Sequence, residues 1–291
     1  MSNGPATIIM CIALLSLGLQ LTAAVIPSDS HYWQSLDGAW RFKLGRMPGA
    51  PAEPFYTPDY REDITWNDLG VPGNWEMAGF SPATYVNPDN SSGLYRTWIA
   101  VPADWKGRQV QINFDGVQNG AEIWLNGKPV EVSEPAWGRA NYHESGWTAW
   151  QADLTPQVRF GEKNLLAMRV TKNTKSSDLD TGDYFFLGGI HRTVTLFSVP
   201  KAHIDDLTVQ TFLKDDNAEV KTIVEVAGEG KVSVKLGKEK PVEAAVSGGK
   251  VEFSQIVSKP KLWSAEHPNL YPLTVELKDS SGKTIEKLEK R

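Results

Sequence analysis

Cysteine is almost absent from this chain of 291 residues. The single one, Cys11, lies in an apolar run near the N-terminus. That excludes an intrachain disulfide framework and a thiolate metal site. Histidine is sparse as well: His31, His143, His191, His203 and His267 are scattered, with no His-x-x-x-His or Glu-x-x-His spacing. They read as surface or hydrogen-bonded structural residues, not metal ligands. Charge of one sign is missing too. The 30 Lys and Arg are mixed along the chain with 35 Asp and Glu, for a net charge of −5. With no basic stripe to neutralise a run of phosphates, nucleic acid is excluded as a partner. The short charged stretches Lys231–Lys240 and Glu286–Arg291 read as solvated strand edges and tails. There is no G-x-S-x-G elbow and no phosphate-cradling glycine loop.

Long apolar runs are also lacking, apart from Ile8–Leu21. Its length suits a signal peptide, and Ser16, Gly18 and Gln20 interrupt it too often for a comfortable bilayer span. Thr22-Ala23-Ala24 supplies small residues for cleavage, which predicts a signal peptide over residues 1–24. No Lys or Arg precedes the run, so an uncleaved membrane anchor is the competing reading. Cys11, inside the run and followed by more apolar residues, does not suit lipid attachment. Export without disulfides points to a bacterial periplasmic or secreted protein, with no membrane contact beyond this segment.

What is present is β-structure. Val110, Ile112 and Phe114 alternate with Gln109, Gln111 and Asn113, the two-residue period of a half-buried strand. Ala121–Leu125 reads as a second strand, and Asn126-Gly127 as a type I′ hairpin turn. Asn164–Val170 and Ile190–Val199 read as further strands. No stretch sustains a capped helical period, so residues 25–201 predict an all-β sandwich. After Pro200–Ala202 the tryptophans fall from ten to one, Trp263. Strands are then expected at Ile204–Leu213, Glu219–Ala227, Lys231–Leu236, Lys250–Ile256 and Leu270–Leu277. Gly228-Glu229-Gly230 and Gly248-Gly249 punctuate them. That spacing predicts a second, immunoglobulin-like sandwich over 202–291, without a cysteine pair.

Eleven tryptophans invite two readings, since an indole face stacks on sugar rings and also fills a sandwich core. Trp40, Trp66 and Trp124 sit in alternating or turn-flanking contexts and read as core. Trp137, Trp147 and Trp150 lie in the irregular stretch 133–150, where loop exposure with ligand contact and burial both remain open.

Ser35-Leu36-Asp37-Gly38-Ala39-Trp40-Arg41-Phe42 opens an ordered set of short motifs. Val71-Pro72-Gly73-Asn74-Trp75-Glu76, Tyr85-Val86-Asn87-Pro88 with Gly93-Leu94-Tyr95-Arg96, and Phe114-Asp115-Gly116-Val117 follow in order. Gly188-Gly189-Ile190-His191-Arg192 and Leu262-Trp263-Ser264-Ala265-Glu266-His267-Pro268 complete the set, over about residues 31 to 278. Together they resemble the front of family 2 glycoside hydrolases of the β-galactosidase type. The resemblance implies an all-β chain, a jelly-roll β-sandwich followed by an immunoglobulin-like β-sandwich. It further implies that Asn87 hydrogen-bonds sugar hydroxyls and that Asp183 contacts both sugar and a sodium ion. Read without the resemblance, Asn87 suits an Asn-Pro turn and Asp183 a loop cap. His191 departs from the family's usual aromatic, and 133–150 is longer than the usual connection.

Glycoside hydrolysis needs two facing carboxyl groups, and no pair stands out in this sequence. In the family, both catalytic glutamates, and a magnesium ion, belong to a third, barrel domain. The chain is therefore expected to stop before the barrel and before the closing strand of the second sandwich, to bind a β-galactoside through lent residues, and to be inactive alone. It carries no cofactor of its own on this reading. Two rivals are a free-standing carbohydrate-binding module, with Trp137, Trp147 and Trp150 as its platform, and a decayed structural sandwich.

Overall fold

The computed structural model describes residues 24–46, 54–85, 90–179 and 182–291. The expected signal peptide, up to Ala23, and Asn87 lie outside the described residues. The regular secondary structure of the described residues is almost entirely β, with short 3-10 turns at Ser30–Tyr32, Ala103–Trp105 and Ser176–Asp178 and no α-helix.

The first sandwich contains β1 (Trp33–Ser35), β2 (Gly38–Arg46), β3 (Asn67–Val71), β4 (Ser91–Ala100), β5 (Gln109–Phe114) and β6 (Gly120–Leu125). It continues with β7 (Lys128–Pro129), β8 (Tyr142–Glu144), β9 (Trp150–Asp153), β10 (Lys163–Thr171) and β11 (Val194–Val199). One sheet runs β1-β11-β5-β9. The other runs β3-β2-β4-β10-β6-β7, with β8 also paired to β6. Alternation along each strand sends Trp40, Phe42, Tyr95, Ile112, Phe114, Ile123 and Met168 into the space between them. This is the jelly-roll sandwich, and Asn126 and Gly127 make the β6–β7 turn with positive φ (51° and 88°).

The outer face of the larger sheet is partly covered. Phe55 and Trp66, from the segment that follows β2, pack on Trp124 and Ala167. Glu62 straps that segment down, accepting from Arg96 at 2.8 Å and Arg41 at 2.6 Å. Trp40, Trp66 and Trp124 are buried, as their contexts predict.

The second sandwich contains β12 (His203–Lys214), β13 (Asn217–Ala227), β14 (Lys231–Leu236), β15 (Val242–Ala245), β16 (Lys250–Ser258), β17 (Leu273–Lys278) and β18 (Thr284–Lys290). Its sheets are β12-β13-β16 and β15-β14-β17-β18, closed on Val224, Val232, Val234, Val275, Leu277 and Leu288. This is the immunoglobulin-like sandwich.

Three details differ from the sequence reading. β5 is not half-buried: Gln111 and Asn113 are buried as well, because the segment from Ala24 lies over that face. Ala24 packs with Phe197 and Val199, and its amide and carbonyl both bond the Gln151 amide, at 2.8 and 2.9 Å. β11 begins at Val194, not Ile190, because the backbone at 188–190 is engaged elsewhere. Glu286–Lys290 is not a solvated tail, and Lys231–Leu236 is not an edge. β14 lies inside its sheet, and β18 pairs with β17 and buries both Glu286 and Leu288.

Glu286 sits where the two sandwiches join. Its carboxylate accepts from the Ile204 amide at 2.7 Å, and Arg108 and His203 are near enough to feel its charge. Burial outweighs that amide bond and the two cations, and raises the Glu286 pKa from 4.5 to about 7. His203, 3.0 Å from Asp205, also has a raised pKa: burial lowers it, but the bond to Asp205 and the nearby acidic charges together outweigh that. Both groups hold protons more tightly when folded. Their contribution is therefore complete at low pH and is lost as pH rises, for Glu286 between about 4.5 and 7. At roughly 1.4 kcal/mol per pKa unit this amounts to a few kcal/mol. Urea unfolding from pH 4.5 to 7.5 is expected to show that decline, and Glu286→Gln to flatten it. An unchanged pH slope in the variant would contradict this assignment.

Candidate functional site

At one end of the jelly roll three chain segments tie together around Gly188 and Gly189. The Trp75 amide donates to the Gly188 carbonyl at 3.1 Å, and the Gly73 amide to the Ile190 carbonyl at 2.7 Å. Gln118 and Gly189 exchange backbone bonds of 2.9 and 3.2 Å. The Asn74 side chain reaches both Gln118 (3.2 Å) and the Gly188 carbonyl (3.3 Å). Neither glycine position has room for a side chain. A Cβ on Gly188 would lie 2.0 Å from the Trp75 ring, and one on Gly189 2.3 Å from the Gly73 carbonyl oxygen. Gly189 also holds φ at +139°, a conformation open chiefly to glycine.

A wholly buried ion pair stands behind this knot. Lys172 Nζ lies 2.9 Å from Glu76 Oε1, with neither side chain exposed. The other carboxylate oxygen accepts from the Gly188 amide at 2.9 Å. Asn119 Nδ2 donates to the Lys172 carbonyl at 2.7 Å, so the pair also anchors the turn before β6. Tyr95 is buried close by, and burial with the Glu76 charge pushes its hydroxyl pKa well up, so it stays protonated.

The loop that carries Asp183 leaves from this anchor. Thr84 and Phe186 form an antiparallel bridge, with the Phe186 amide donating to the Thr84 carbonyl at 2.8 Å. The next rings outward, Tyr85 and Phe185, meet edge to face at 5.6 Å. Asn87 is three residues beyond Thr84, and Asp183 three residues before Phe186. The bridge thus brings together the two segments that carry the predicted sugar readers. Asp183 itself is exposed.

The three tryptophans of 133–150 have separate fates. Trp150 is buried, stacked between Phe114 at 4.4 Å and His143 at 5.0 Å, which removes it from any stacking platform. The even spacing on β9 that points it inward is hidden in an irregular sequence. Trp147 is partly exposed beside Tyr184 (5.9 Å), the neighbour of Asp183. It also packs on His191 at 5.2 Å, so His191 occupies an aromatic's place. Burial and the adjacent Arg192 lower the His191 pKa to about 4, which keeps the ring neutral near pH 7. Trp137 is exposed on the outer face of the larger sheet, away from these rings.

The resemblance also gives Asp183 a sodium ion. Among the described residues no three His, Cys, Asp or Glu side chains gather, so these side chains do not make a cation site by themselves. Sequence reasoning missed Glu76 and Lys172 as a pair, and the signal was there. Lys172 directly follows the apolar strand β10, and Glu76 follows Trp75, each a charge in a context that reads as buried.

Lys172→Met is expected to destabilise by about 3–5 kcal/mol, because it strands the Glu76 charge, and Glu76→Gln with Lys172→Met by less. Gly188→Ala is expected to cost about 1–3 kcal/mol through overpacking against Trp75. Urea midpoints at constant m measure both, and wild-type midpoints would refute the anchor.

The comparisons with known proteins agree with this architecture. The family model "Glycosyl hydrolases family 2, sugar binding domain" matches residues 33–200, and "Glycosyl hydrolases family 2" matches 202–291. A β-galactosidase of Clostridium acetobutylicum is 29% identical over 282 residues, covering 87% of this chain and 30% of that protein. One from Photobacterium profundum is 32% identical, with coverage of 87% and 26%. Among solved structures, a Bifidobacterium dentium β-glucuronidase superposes with a TM-score of 0.75 at 20% identity. It covers 91% of this chain and 48% of that one. A family 2 member from Bacteroides cellulosilyticus gives 0.68 at 24%, over 89% and 36%. The chain spans about a third of the length of the Clostridium relative, and these structural likenesses speak to the fold. Matched by the family along both sandwiches, the chain belongs to glycosyl hydrolase family 2.

Proposed function

We propose that these sandwiches are the non-catalytic front of a secreted, β-galactosidase-type hydrolase acting in carbohydrate metabolism. The jelly roll lends Asn87 and Asp183 to a galactoside subsite completed by a catalytic barrel. The bridge between Thr84 and Phe186 carries this reading, because it joins the two segments on a base that the Glu76–Lys172 pair holds still. An amide and a carboxylate suit adjacent sugar hydroxyls, one able to donate and accept, the other accepting in pairs. Trp147 beside Tyr184 adds an apolar ring edge on the same loop cluster. A sodium ion at Asp183 would need further oxygen donors from the barrel side.

The second sandwich supports the reading. Exposed Leu262, Trp263 and Leu270 line an apolar groove of about 560 Å³, a surface suited to packing against another domain. The rival reading, a free-standing module stacking sugar on Trp137, Trp147 and Trp150, loses its third ring to the core.

Assayed with a chromogenic β-galactoside, the 291-residue chain is expected to show no turnover, and measurable hydrolysis would overturn the proposal. In a protein where these residues are joined to the barrel, Asp183→Ala is expected to lower kcat/KM by about 10- to 100-fold, the worth of one hydrogen bond to a charged group. An unchanged kcat/KM would remove Asp183 from the subsite.

A further inference from the structure

A second depression, of about 420 Å³, opens on the outer face of the larger sheet, beyond the part covered by Phe55 and Trp66. Strand register builds it. Arg169 on β10, Glu122 on β6 and Tyr142 on β8 are direct cross-strand neighbours. The next row on the same face is Thr171, Gly120 and Glu144. Gly120 lets the floor close tightly, since a Cβ there would lie 2.4 Å from the Tyr142 hydroxyl and 2.9 Å from the Thr174 methyl.

The rim is as deliberate as the floor. Trp137 is a tryptophan with φ of +55°, a genuine outlier for a bulky side chain, and strain of this kind persists where the surroundings hold it. Its indole N–H donates to Glu144, whose other oxygen accepts from the Ser176 amide at 3.0 Å. Lys175 Nζ lies 4.1 Å over the indole ring. Arg139 and Arg169 both pair with Glu122, and Arg139 lies over the Tyr142 ring at 4.3 Å. Trp137 nevertheless remains 62% exposed. Three cations thus face two carboxylates, so the depression is locally positive on a chain whose net charge is −5.

We propose that this depression is a binding site for an acidic saccharide, with Trp137 as the stacking surface and Lys175 and Arg139 as the counter-ions of its carboxylate. An aromatic face takes the C–H face of a sugar, and the paired carboxylates accept from its hydroxyls. The acidic group gives Lys175 an ionic partner in exchange for the ring face, so the ammonium is never stranded. A neutral sugar offers no such exchange and leaves the extra positive charge unanswered. Asn173, Thr174 and Lys175 share the β10–β11 connection with Asp183, but Asp183 does not line the depression, so separate side chains test the two sites.

Calorimetry of the 291-residue chain with digalacturonate, and with lactose as the neutral control, tests this. Digalacturonate is expected to bind at millimolar concentration or better, about tenfold tighter than lactose, and more weakly as salt is raised. Trp137→Ala, on an exposed ring, is expected to weaken it at least about tenfold, and Lys175→Met about fivefold, with circular dichroism unchanged. Asp183→Ala is expected to leave it intact. Absence of heat with digalacturonate, equal binding of lactose, or full binding by both the Trp137 and Lys175 variants would overturn the proposal. Loss of binding in Asp183→Ala would move the saccharide to the galactoside subsite and overturn it equally.

Discussion

The buried pair of Glu76 and Lys172 is the constraint on which one end of the jelly roll depends. Two opposite charges are removed from water, and one carboxylate oxygen also receives the Gly188 amide. Such a pair adds little net stability over an apolar pair, but breaking it is costly. Its value is geometric. It locks the start of the 71–80 segment, the end of β10 and the Gly188–Gly189 turn to one another. The Thr84–Phe186 bridge, and the exposed Asp183 that precedes it, rise from this fixed base.

The sandwich thereby separates two tasks. The space between the sheets is filled by alternating apolar residues. The loops at one end, and the outer face of the larger sheet, carry the polar groups. That outer face is divided in turn. One half is roofed by Phe55 and Trp66 and strapped by Glu62 to Arg41 and Arg96. The other half stays open around Trp137, where charge is left over. Binding chemistry on a β-sandwich depends on which outward-facing rows stay uncovered, a matter of loop placement more than of strand sequence.

Much of the fold was legible because strand period and turn chemistry are local. Asn126-Gly127, the alternation of Val110, Ile112 and Phe114, and the regular spacing after residue 202 each announce their structure within ten residues. What escaped was set by distant chain. Gln111 and Asn113 are buried by the segment at Ala24, more than eighty residues away in sequence. β18 was masked by its own charge, since Glu286 looks solvated until the junction with Ile204 takes it in. Trp150 and Trp147 share one irregular stretch, yet a short strand turns one into the core and leaves the other beside Tyr184. The Trp137 depression needed the pairing of β6 with both β8 and β10, which no single segment encodes.

The most direct test of the central claim is a crystal structure with a bound β-galactoside of a protein in which these residues are joined to the catalytic barrel. The account predicts sugar hydroxyls within hydrogen-bond distance, about 3 Å, of Asp183 and Asn87, with the Gly188–Gly189 turn unmoved. A galactoside held by barrel residues alone, with both side chains out of reach, would contradict it.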